Sequence, residues 1–187
     1  DEVPVGFVQN ALKLSWRGGF TAGGDMHRSH PGDDATQGYP PYRYKPGLTA
    51  VWAKGKTRKS IWASLKSRCC YATTGSRMIL WMSVNGCPMG SEIAASPGQP
   101  RIVEFEGHGA DHVATVELVR NNEVYAREEV GKREDVSFSW QDSDAFLDVA
   151  LPPSAWAKMP FIYYYVRMTQ TDGETGWTSP VWVEEGR

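Results

Sequence analysis

Beyond Gly75 the chain becomes a succession of short apolar and β-branched runs separated by turn dipeptides, and this pattern constrains its fold more than any other feature. The runs cover 78–84, 101–106, 114–120, 124–128, 136–140, 146–151, 161–169 and 177–183. Asn85-Gly86, Asn121-Asn122 and Asp172-Gly173 punctuate them. Asn-Gly and Asp-Gly suit tight hairpins, because their residues reach positive φ at little cost. Short strands spaced this way, with no convincing helix between them, predict an antiparallel, Ig-like β-sandwich over 77–187.

The first 76 residues have a different texture. Val8, Ala11, Leu12 and Trp16 recur at helical spacing after Pro4, and Arg17-Gly18-Gly19 is a plausible stop. Gly19 to Gly24 reads as a brief buried strand that delivers Asp25-Met26-His27. Residues 28–47 hold four Pro and three Gly and read as a long functional excursion. Leu48 to Ala53 suits a strand, Thr57 suits an N-cap for a helix carrying Ile61, Trp62 and Leu65 on one side, and Cys70 to Thr73 suits another strand. This alternation predicts an α/β layer, so the chain as a whole is placed in the α+β class with a boundary near residue 76.

A net charge of −2 and the lack of Lys/Arg runs interleaved with aromatics argue against a nucleic-acid partner. No stretch of 18 apolar residues occurs, so no membrane-spanning helix is expected, and no signal-peptide pattern opens the chain. The start at Asp1-Glu2-Val3-Pro4, without Met, reads as a processed product. Its compartment is left open, a periplasmic or secreted location being consistent with a signal already removed. Cys69, Cys70 and Cys87 form neither a disulfide framework nor a CxxC motif.

On an extended segment Asp25 and His27 project to the same face, and carboxylate oxygen with imidazole nitrogen suits Zn, Mn or Fe. By spacing alone, ordinary loop residues are the favoured explanation of the pair. His30, Asp33 and Asp34 lie nearby, the two acids reading as a solvated turn. His108 and His112 flank glycine-rich sequence between two expected strands, where no helix can bring them to one face. Tyr163, Tyr164, Tyr165, Trp177 and Trp182 suit either a sugar-stacking platform or a sandwich core, and alternation along the strand favours the core. Neither a GxSxG elbow, a P-loop nor a dinucleotide fingerprint is present.

Three stretches in order, GGDMHRSHPG, GLTAVWAKGKTRKSIWASLKSRCCYATTG and RMILWMSVNGCPMGSE, together resemble the C-terminal half of a bacterial family of unknown function related to PHP (polymerase and histidinol phosphatase) metallohydrolases. TDGETGWTSPVWV resembles the closing strands of that family. The resemblance implies a C-terminal piece of a PHP-like β/α barrel over 1–76, followed by the sandwich as an accessory domain. It also implies that Asp25 and His27 match the last metal motif and ligate divalent Zn, Mn or Fe, with Arg77 and the YATTG segment near the junction.

The opening His-x-His motif and the intermediate Glu and His ligands of such a family are absent, and 76 residues fall short of a barrel. The expectation is therefore a C-terminal fragment of a metal-dependent, phosphoesterase-like hydrolase, inactive by itself because most ligands are missing. Its expected partners are the remaining N-terminal part of the parent polypeptide, or a second copy through exposed apolar edges, and a small phosphoester as substrate. A second reading makes residues 77–187 a binding or structural module for carbohydrate or protein, with the metal motif vestigial.

Overall fold

The computed structural model describes residues 7–24, 46–94, 96 and 98–186. In chain order the elements are α1 (Val8–Lys13), β1 (Leu48–Val51), α2 (Arg58–Lys66), β2 (Cys70–Thr73), β3 (Ile79–Val84), β4 (Cys87–Pro88), β5 (Glu92–Ala94), β6 (Arg101–Arg120), β7 (Glu123–Asp142), α3 (Phe146–Val149), β8 (Phe161–Gln170), β9 (Thr175–Thr178) and β10 (Val181–Glu184). The fold is mostly β: one ten-stranded sheet, strongly curled into half a barrel and antiparallel apart from the β5–β10 pair, with a few short helices.

One hairpin organises the sheet. β6 and β7 pair from Arg101↔Asp142 to Arg120↔Glu123 across a turn in which Asn121 and Asn122 both have positive φ, 53° and 70°. Asparagine reaches this conformation more readily than most residues, and here both side-chain amides are held by carbonyls distant in sequence. Asn121 donates from Nδ2 to the Val149 carbonyl at 2.8 Å, and Asn122 donates from Nδ2 to that of Gln9 at 2.7 Å. The first half of β6 pairs with β3, and the second half pairs with β8.

Register shifts between His108 and Thr115 bend the hairpin between these halves. Odd-numbered Val103 and Phe105 face the core before the bend, and even-numbered Val116 and Leu118 face it afterwards. An extra residue shifts a period-two strand by one face, so the bulge keeps the apolar set on one core while the sheet turns. The halves thereby face each other, with Leu80, Met82, Phe105, Leu118, Val166 and Met168 between them. The expected sandwich is corrected on this point: the opposed layers are parts of one curled sheet. The glycine-rich stretch at 107–109, expected between two strands, sits inside β6, and Gly131 sits inside β7.

β8 is buried on both faces. Ile162, Tyr164, Val166 and Met168 enter the main core, whereas Phe161, Tyr163 and Tyr165 enter a second cluster with Leu12 of α1 and Trp182 of β10. Two buried faces explain why this segment reads as a nearly continuous apolar and aromatic run. The expected 177–183 strand is broken at Ser179-Pro180 into β9 and β10, because a proline lacks the ladder donor. The expected strand at 146–151 is instead the single helical turn α3.

The α/β layer expected before residue 76 is also corrected. α1, β1, α2 and β2 form near their expected places, but β1 pairs antiparallel with β2, and β2 pairs antiparallel with β9. Both strands thus join the large sheet. Gly19–Gly24 runs without strand assignment, its polar groups partly satisfied by side chains.

Candidate functional site

The candidate metal residues Asp25 and His27, together with His30, Asp33 and Asp34, lie outside the described residues. The chain on either side of them, residues 7–24 and 46–94, is described. From α1 the backbone turns at Ser15, φ 63°, and passes Phe20, whose N–H donates to Ser179 Oγ at 2.8 Å. Ala22 then meets Thr49 of β1. The Ala22 N–H donates to Thr49 Oγ1 at 2.9 Å, and Thr49 Oγ1 donates to the Ala22 carbonyl at 2.7 Å.

Gly47 completes this clasp. A Cβ at position 47 would stand 2.6 Å from the Ala22 Cβ, closer than carbon atoms can approach, and a tight 3.3 Å from the Gly23 nitrogen. The chain therefore departs at Gly23-Gly24 and returns at Pro46-Gly47 from adjacent points on the edge of the sheet. Thr49 serves both as a β1 residue and as a side-chain strap, because its hydroxyl both donates and accepts.

Beside the clasp is a groove of about 510 Å³. Leu12, Trp16, Phe20, Tyr165, Arg167 and Trp177 are among its walls. Phe20 and Tyr165 meet edge to face with centroids 5.4 Å apart. Arg167 is held by Glu117, whose Oε2 accepts from Arg167 Nε at 2.5 Å while its Oε1 accepts from Arg127 Nη1 at 2.9 Å. Burial pushes the Glu117 carboxyl up, but these two guanidinium groups outweigh it and hold the acid below its ordinary range. The groove is thus an aromatic wall with a fixed cation, a size and character suited to a small ligand.

The other sequence candidates are distributed elsewhere. His108 and His112 lie within β6 at its bend rather than in a loop between strands. His108 Nδ1 is 2.7 Å from Asp135 Oδ1, and His112 Nδ1 is 3.9 Å from Glu134 Oε1. They face separate acids. Tyr163, Tyr164 and Trp182 are fully buried, so they are core rather than a stacking platform, whereas Tyr165 and Trp177 reach the groove. Among the described residues no group of three or more His, Cys, Asp or Glu is placed to hold a metal. The cysteines are free thiols, and burial pushes those of Cys69 and Cys70 up. No described helix is long and apolar enough to cross a membrane.

A feature missed in the sequence is a buried ionic knot at the open end of the hairpin. Asp142 accepts from Arg101, Arg120 and Tyr164, and Arg120 also donates to Asp144 at 2.6 Å. Its members lie 63 residues apart at the extreme, so no local pattern announces them. Every charge in it has an opposite partner, which marks a structural pin.

The stretch from the clasp to the β3–β4 turn carries the recognisable sequence. Residues 21–86 match the family described as "Protein of unknown function (DUF3604)". The DUF3604 match thus takes in Ala22, Gly47, Thr49, β1, α2, β2 and β3. Along 98% of its length the chain is homologous to uncharacterized proteins of Chlamydia pneumoniae, 36% identical over 187 residues, and Chlamydia trachomatis, 36% identical over 191. A Chlamydia muridarum protein, also uncharacterized, is 33% identical over 192 residues. The chain spans about 30% of the length of these curated relatives.

Proposed function

We propose that this chain is the C-terminal portion of a metal-dependent hydrolase of the PHP-related type, acting on phosphoesters, and that Asp25 and His27 are its last metal ligands. The observation that carries the reading is the Ala22–Thr49 clasp beside Gly47. It fixes both ends of the segment bearing the Asp-x-His pair at one point of a rigid sheet, and the DUF3604 match includes that whole arrangement. Catalytic ligands need such anchoring, since small displacements at a metal site cost affinity and rate.

A carboxylate and an imidazole have the right chemistry for Zn, Mn or Fe, but two donors fall short of the three protein ligands usual at a catalytic zinc. The described residues supply no further cluster. In this reading the missing donors, and the β/α barrel that would carry them, belong to polypeptide outside this chain. A bound divalent metal would supply an activated water for hydrolysis. The chain's own part is to anchor both ends of the segment that carries the two donors and to offer the Arg167 and aromatic groove beside the clasp.

The test is elemental analysis and turnover of bis(p-nitrophenyl) phosphate by the full-length polypeptide. Asp25→Ala and His27→Ala should each lower metal content and abolish most turnover. Wild-type metal content and rate in Asp25→Ala would overturn the reading.

A further inference from the structure

α2 is seated with its polar side inward. Its only buried residue is Ser64, whose Oγ donates to the Trp52 carbonyl at 2.7 Å. Ile61 and Trp62 point away from the sheet, 40% and 65% exposed, and with Leu65, Arg58 and Lys59 they line a shallow depression. Trp52, on whose backbone the helix rests, is itself 40% exposed. A surface helix ordinarily buries its apolar stripe and shows its serines to water. For Ile61 and Trp62 this arrangement is the reverse, which leaves an apolar face of α2 uncovered among the described residues.

The surroundings of that face are basic. From Trp52 to Arg68 the sequence holds Lys54, Lys56, Arg58, Lys59, Lys66 and Arg68 and no acidic residue, although the whole chain has a net charge of −2. The Chlamydia relatives align with 98% of this chain, α2 included, yet carry more than twice as much polypeptide again. Large exposed apolar faces rimmed by polar residues mark docking surfaces.

We infer that the outer face of α2, centred on Trp62 and Ile61, is the seat of the additional polypeptide of a longer gene product, whose docking surface is apolar with an acidic rim. This does not depend on metal binding at Asp25 and His27. Trp62 fills the central position, and Lys54, Lys56, Arg58, Lys59 and Lys66 around it pair with carboxylates on the docked part, whereas Arg68 is already engaged by Glu92 at 2.7 Å. Aromatic anchors surrounded by charged rims are the usual anatomy of such contacts.

The experiment places a photo-reactive p-benzoyl-phenylalanine at position 62 of the full-length gene product and maps the cross-link by mass spectrometry, with anionic phospholipid vesicles present in a parallel arm. The expected result is an intramolecular link to a residue outside these 187. In the same protein Trp62→Glu should speed amide exchange of α2 by about tenfold, as expected when a packed element is released. A link to a second copy, a link to lipid, the absence of any link, or an endogenous product no longer than this chain would each overturn the inference. Metal content and turnover of the Trp62 variants separate this outcome from failure of the hydrolase reading.

Discussion

Arg101 and Asp142 face each other across the first rung of the β6–β7 ladder, Nη2 2.9 Å from Oδ1, with side chains only 5% and 0% exposed. The same carboxylate also receives Arg120 and the Tyr164 hydroxyl, tying the hairpin's open end to β8. Breaking a buried pair from one side leaves unpaired charge in a medium that solvates it poorly, at a cost of about 3–5 kcal/mol. Asp142→Ala should therefore lower stability by about that much in urea unfolding. The double variant Arg101→Met/Asp142→Leu should lose clearly less than the sum of the single losses, and simple additivity would contradict the coupling.

Acid should act through the same group. Burial pushes the Asp142 carboxyl up, but hydrogen bonds from Tyr164, Arg120 and Arg101 outweigh it and hold it below the ordinary carboxylate range. A depressed native value means the stabilisation is complete above the unfolded value, about 3.9, and is lost as pH falls through the folded one. Thermal unfolding should show a fall below about pH 4 that is shallower in Asp142→Asn. An unchanged acid limb in that variant would remove Asp142 from the account.

At the clasp, Gly47→Ala should destabilise by about 1–3 kcal/mol, the usual cost of forced overpacking, because its new methyl would collide with that of Ala22. Ala22→Gly in the same chain should restore most of the loss, since it removes the other methyl. Differential scanning calorimetry of the two single variants and the double variant decides this, and a double variant no better than Gly47→Ala would show that the backbone, not the methyl pair, sets the cost.

Thr57 caps α2 by accepting from the Ser60 N–H at 3.1 Å. Removing such an oxygen costs about 1 kcal/mol. Thr57→Ala should thus raise exchange of the first-turn amides of α2 by about fivefold while leaving β2 and β3 amides unchanged. Equal acceleration in the strands would mean that the helix and sheet open together.

Much of the fold was legible where local chemistry decides it. The Thr57 cap and the Asn85-Gly86 turn with φ of 48° and 76° follow from residues close in sequence, as does the alternation of 161–168, although both of its faces prove to be buried. The bends inside β6 and β7 were not legible, because a glycine that ends a strand and one that bends it look alike until the partner strand is known. β4 and β5 were missed because two- and three-residue strands exist only through pairing with β3 and β10. Asp25 and His27, which stand out by residue type, lie outside the described residues, and the Thr49 strap was not legible, since a threonine in a strand ordinarily only fills space.

The long hairpin has a further consequence. β6 and β7 each run through both halves of the curled sheet without interruption, so no linker separates those halves. Opening either half must break rungs continuous with the other. Denaturation should accordingly be all-or-none, with near- and far-ultraviolet signals melting together as in a single cooperative unit.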